Sequence, residues 1–151
     1  MNKNYLEDFH TLSWLSLIAG VVYVIFGLVE ILSSLGFIPI VEFIAPDPLA
    51  GFVLIVIGGI YVNGFHPLRA GDKRALGFPL VASILSGAFA ALFLLVLIAD
   101  AIEAYIICNE EFTGWVWYHD LRPGVYLFPI TLPIILILWK LILKEKIARI
   151  T

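Results

Sequence analysis

Cysteine is nearly absent. Cys108 stands alone, so the chain cannot close an internal disulfide or build a CxxC redox centre or a multi-cysteine metal site. With apolar neighbours around it, such a lone thiol is ordinarily packing. Methionine occurs once and glutamine not at all, a composition that leans towards a heat-adapted source. Charge is scarce too, at 14% of residues against roughly 25% in soluble domains. The few basic residues give no footprint for nucleic acid. There is no P-loop glycine motif, no dinucleotide fingerprint after a strand and no HExxH. With no long soluble segment either, a bound nucleotide or a separate catalytic module is set aside, and no cofactor is expected.

Apolar surface is abundant instead. The chain is 62% hydrophobic with a mean hydropathy of +1.03. A soluble fold of 151 residues cannot hide that much apolar area, so its solvent must be the lipid bilayer. About 20 apolar residues cross the hydrocarbon core as a helix, and four segments qualify: 12–35, 48–66, 79–101 and 124–143. Residues 1–151 therefore read as one all-α domain, a four-transmembrane-helix bundle. Asp47 caps the second span with Pro48 at its first position, and His66-Pro67 is expected to stop it. The third has no charge until Asp100, and its pattern continues to about Cys108. The fourth must carry Pro129 and Pro133 inside it, and its Leu/Ile-rich faces suit the periphery of the bundle.

Loop charges set an orientation. Four spans place both termini and the loop around Arg69–Arg74 on one side, with eight of the nine basic residues. Only Arg122 lies opposite. Lys and Arg stay inside, so both termini should be cytoplasmic, in the cytoplasmic membrane if the source is prokaryotic. The inner face then sums to +4 and the outer face, with Glu30, Glu42, Asp47, Asp100, Glu103, Glu110, Glu111 and Asp120, to −7. A cleaved signal peptide is not expected, because the first apolar run is too long and "MNKNYLEDFH" is not basic. Trp14 and Trp139 fall at the inner interface, and Trp115, Trp117, Tyr118 and Tyr126 at the outer one, where amphipathic rings settle. The outer loop between spans three and four should be ordered.

The first span carries a stripe, Ser13, Ser16, Gly20, Tyr23, Gly27, Glu30 and Ser34, at alternating steps of three and four. Small residues let membrane helices approach closely. Gly51 and Gly58 in the second span, and Ser83, Ser86 and Gly87 in the third, extend this packing seam. Ala19-Gly20 followed by Gly27 repeats the spacing of Ala50-Gly51 followed by Gly58, a hint of duplication.

Packing alone does not require the carboxylate of Glu30. With Asp100 and Glu103, three apart on one helix face, it makes a candidate ion site near the outer boundary. Ionisable groups at membrane depth often mark ion or proton paths. Carbonyls freed by Pro129 and Pro133 would add oxygen ligands. The plainer reading has the acids reaching outer headgroups. Arg122 should pair with an acid, Asp120, Asp100 or Glu103, and its neighbour Asp120 is the expected partner. His10 and His66 read as interface residues rather than ligands, and His119-Asp120 lacks a nucleophile in context. No catalytic residue is assigned.

These features point first to a non-enzymatic accessory or assembly subunit with a membrane-protein partner, or a homo-oligomeric scaffold, using the small-residue seams. The alternative is a small cation transporter or channel subunit using the outer carboxylates. A membrane enzyme comes third.

Overall fold

A computed structural model describes residues 3–37, 47–107, 112 and 114–148, with backbone alone for 3–5, 119 and 144–148. Cys108, Glu42, Glu110, Glu111 and Arg149, and the side chain of His119, lie outside the described residues. The described chain is helical: α1 (Lys3–Ser34), α2 (Pro48–Arg69), a 3-10 turn (Lys73–Leu76), α3 (Gly77–Ile102) running into a π turn (Glu103–Ile107), a 3-10 turn (Trp117–His119), α4 (Pro123–Leu127), a 3-10 stretch (Phe128–Thr131) and α5 (Leu132–Ala148). Four helical stretches are long and apolar enough to cross a membrane: Leu6–Ser34, Pro48–Arg69, Lys73–Ile107 and Pro123–Leu143. They put the start of α1, the α2–α3 connection and the end of α5 at one end of the bundle, the termini end. Asp47, the π turn and α4 lie at the other, the loop end.

α1 and α2 form the most extensive contact in the molecule. They run antiparallel and meet glycine on glycine. A Cβ on Gly20 would lie 2.8 Å from the carbonyl oxygen of Gly58, and one on Gly58 would lie 2.6 Å from that of Gly20. Seven residues along, Gly27 and Gly51 oppose each other at 2.5 and 2.8 Å. No real Cβ fits at such distances, so the backbones touch where lipid-exposed helices would be held apart by side chains. Each glycine also receives a β-branched side chain: Val62 on Gly20, Ile55 on Gly27, Ile31 on Gly51 and Val24 on Gly58. These contacts repeat under an offset of 31 residues, which carries Gly20 to Gly51 and Gly27 to Gly58. Gly59, next in sequence, faces nothing within 4 Å and takes no part.

α3 closes over this pair through two hydroxyl bridges. The Tyr23 hydroxyl bonds Ser86 Oγ at 2.5 Å and the Tyr61 hydroxyl bonds Ser83 Oγ at 2.8 Å, all four groups buried. Ser83 and Ser86, three apart, share the α3 face that meets both tyrosines. Lys140 of α5 ties to Asp8 of α1 at 2.7 Å, and Ile134, Leu138 and Leu141 bury α5 in the core. The fourth span is therefore packed in along one side, not left at the periphery.

Helix ends depart from expectation at two prolines. α2 runs through Pro67 to Arg69, because a proline in the last turn sacrifices little of the helix. Its true stop is Gly71, with φ +77°, a conformation that glycine adopts freely. The fourth span breaks into α4, a 3-10 stretch and α5. Pro133 cannot donate to the carbonyl of Pro129, and the tighter turn lets Leu132 N–H bond it instead. That carbonyl is satisfied, not left free as a ligand.

Gly27→Ala must force the helices apart against backbone and should lower stability by about 1–3 kcal/mol. Gly59→Ala, into open space, should be neutral or slightly stabilising. Thermal unfolding of both variants in the same detergent checks this, and equal effects would contradict the backbone contact.

Candidate functional site

The loop end of the bundle gathers the unusual polar groups. Glu30 lies on the stripe of α1 that faces α2, four turns of buried small or polar side chains after Ser16 (Gly20, Tyr23, Gly27). It is 0% exposed, and among the described residues neither carboxylate oxygen has a hydrogen-bond partner. Its Cβ sits 3.2 Å from where a Cβ on Gly51 would stand, so the close approach of α1 and α2 is what encloses it. One turn on, the buried Ser33 hydroxyl also lacks a partner. Tyr126 of α4, packed edge-on against Phe26 at 5.9 Å, lies within electrostatic range of Glu30.

Asp47 and Arg122 flank this carboxyl within electrostatic range. Asp47 caps α2: its Oδ1 accepts from Leu49 N–H at 3.0 Å and Ala50 N–H at 3.2 Å. Its Oδ2 is 3.0 Å from Arg122 Nη1, an ion pair partly shielded from solvent. The Arg122 guanidinium also stands over the Phe93 ring at 5.9 Å. This corrects the expected pairing of Arg122 with Asp120. Asp120 is engaged by Trp115, whose indole N–H donates to its Oδ2, whereas Asp47 is held in place by its cap with one oxygen left for Arg122. Trp115 in turn packs on Tyr105 of the π turn, 5.7 Å between centroids. The loop is thus tied to both α2 and α3.

The three acids expected to share an ion do not converge. Asp100 near the end of α3 and Glu103 in the π turn are half-buried, and Asp100 is within electrostatic range of Asp120, Glu103 and Arg122. Glu30 is within electrostatic range of Arg122, Asp47 and Tyr126. Among the described residues no three His, Cys, Asp or Glu side chains are placed to hold a metal ion. His10 and His66 pack on Trp14 and Phe65 respectively at the termini end. Of the remaining seam residues, Ser16 is buried with its hydroxyl unpartnered among the described residues, while Gly20, Gly27, Gly51 and Gly58 serve the α1–α2 contact, Tyr23 and Ser83 the hydroxyl bridges, and Gly87 faces Phe128, 3.3 Å from a built Cβ.

Residues 7–141 match the family described as MJ0565 integral membrane domain. The chain belongs to this family. A relative from Methanocaldococcus jannaschii, which carries the name "Uncharacterized protein MJ0565", is 30% identical over 117 residues, covering 75% of this chain and 78% of its own. No solved structure matches. The family domain contains every residue of the loop-end site, and neither description names a reaction, so nothing in them points to catalysis.

Asp47 should serve cap and ion pair separately. Asp47→Asn keeps the cap acceptor and should cost up to about 1 kcal/mol. Asp47→Ala loses both functions and should cost about 1 kcal/mol more. Arg122→Gln should add little to Asp47→Asn. Unfolding midpoints for the three variants and the double mutant measure the cycle, and full additivity would remove the ion pair.

Proposed function

We propose that this membrane protein is a small cation-coupled carrier in which Glu30 takes the ion. The supporting observation is a completely buried carboxyl with no hydrogen-bond partner on either oxygen among the described residues. Such a charge costs several kcal/mol unless neutralised. The neighbouring cation, Arg122, is already matched by Asp47. Glu30 therefore has room in its charge balance for one positive charge, which favours a proton or another monovalent cation. A divalent metal ion would ask for six or more oxygens, which Glu30, Asp100 and Glu103 do not bring together. The broken helix of α4, the 3-10 stretch and α5 adds irregular backbone beside the site, a feature of transporter binding sites generally.

Two observations bear on the scaffold reading. The seams on which it rested are occupied inside the chain, which weakens it. The loop-end half of α3 favours it as a second reading. Lys73–Ile107 is about 50 Å long at helical rise, well beyond the roughly 30 Å hydrocarbon layer. From Leu92 to Ile107 that helix is exposed on most sides, a face that a partner subunit would cover. The placement of Arg69, Lys73, Arg74 and Lys140 at the termini end supports termini on the cytoplasmic side.

In proteoliposomes, the wild-type protein should carry protons or a monovalent cation. Glu30→Gln should reduce that flux at least about tenfold while melting at the same temperature or higher, since function and stability trade off at such a group. Ion-selective dyes and a thermal scan give both readouts. Undiminished flux in Glu30→Gln would refute the role of Glu30. No flux for any monovalent cation, with a stable hetero-complex in native mass spectrometry, would favour the accessory reading.

A further inference from the structure

We propose that the groove between α2 and α3 at the termini end is a binding site for an anionic phospholipid, with Arg74 holding the phosphate. This stands apart from the transport reading and uses none of its residues. The groove encloses about 450 Å³ and is lined by Ile60, Asn63, Arg74, Gly77, Phe78 and Val81.

Its shape follows from local sequence. Asp72 caps the 3-10 turn by accepting from Arg74 N–H at 2.9 Å, which fixes where Arg74 leaves the backbone. Gly64 lets Phe78 come close, 2.8 Å from a built Cβ, and so pinches α2 against α3. Gly77 then leaves a slot at the mouth, where an added Cβ would meet nothing within 4 Å.

The charge at the mouth is what selects the occupant. Arg69 stands over Trp14 and Phe65 at 5.8 and 5.9 Å. Lys140 pairs with Asp8 and Arg122 with Asp47, and Lys73 also engages a neighbour. Among the described side chains, the guanidinium of Arg74 alone of these cations makes no ion pair and stacks on no ring, the nearby Asp72 being taken up with the cap of the 3-10 turn. Arg74 is exposed at the end of a membrane-spanning helix, where phosphate headgroups lie. Below it Ile60, Phe78 and Val81 make an apolar floor that runs into the bilayer, with the polar Asn63 beside them. A cation above an apolar slot is complementary to a phosphate carrying an acyl chain. A zwitterionic choline lipid brings its own cation next to its phosphate and competes poorly for the same guanidinium.

Native mass spectrometry of the full chain, titrated with phosphatidylglycerol and with phosphatidylcholine of identical chains, tests the site. Phosphatidylglycerol should bind about fivefold more tightly, the effect of one basic contact at a membrane surface. Arg74→Gln should erase that preference, and Arg69→Gln should leave it intact. Gly77→Leu, whose Cβ enters open space, should weaken both lipids while the melting temperature stays at the wild-type value. A preference that survives Arg74→Gln would overturn the proposal. So would displacement of phosphatidylglycerol by an equal concentration of inorganic phosphate, or a dimer that Gly77→Leu dissociates with no change in bound lipid.

Discussion

The contact of α1 with α2 is the constraint on which the rest depends. In lipid no hydrophobic force drives two apolar helices together, so close packing must do it. Four glycines remove the side chains that would hold the backbones apart, and four β-branched residues fill the flanks. With the helices at this separation, Tyr23 and Tyr61 lie side by side, 6.1 Å between centroids, and reach the same face of α3. With the same geometry, Glu30 is shut in between α1 and the start of α2. A wider spacing would loosen the hydroxyl bridges and open the carboxyl to water in one step.

Burial and charge then act on each other at the loop end. Arg122 is the obvious partner for Glu30 and lies within its electrostatic range, yet it bonds Asp47. Asp47 competes well because its position is set by the α2 cap, so its free oxygen is presented without further ordering cost. One residue thereby starts a helix, anchors the loop and leaves Glu30 unmatched. A chain selected for stability alone has no use for that last outcome, since an apolar side chain of similar size would fill the same space without the desolvation cost. The integral membrane family to which the chain belongs spans the whole arrangement.

Much of the fold is written in simple periodicities. Hydropathy alone locates four spans, and the three-four stepping from Ser13 to Glu30 marks the face of α1 that the structure buries. The 31-residue offset between the two glycine sets was visible as well, but its meaning was not. It reflects helices whose contacts repeat when antiparallel, and sequence spacing cannot fix their register. Tyr61 gives no local signal among apolar neighbours, although the same offset relates it to Glu30 on the matching stripe. Nearness in sequence favours Asp120 as the partner of Arg122, whereas Asp47 lies 75 positions away. Pro67 and Pro133 depart from the simple rule because both lie near a helix end: Pro67 in the last turn sacrifices little of α2, and at Pro133 a tighter turn supplies the Leu132 N–H instead.

Sequestration of Glu30 is the central physical claim, and chemical modification reads it directly. In native membranes, a lipid-soluble carbodiimide and a water-soluble one can be compared for their attack on each carboxyl, mapped by peptide mass spectrometry. A buried, unpartnered Glu30 should react with the lipid-soluble reagent and stay protected from the water-soluble one, while Asp120 in the loop reacts with the latter. Attack on Glu30 by the water-soluble reagent at the rate seen for Asp120 would contradict the enclosure of Glu30 by α1 and α2.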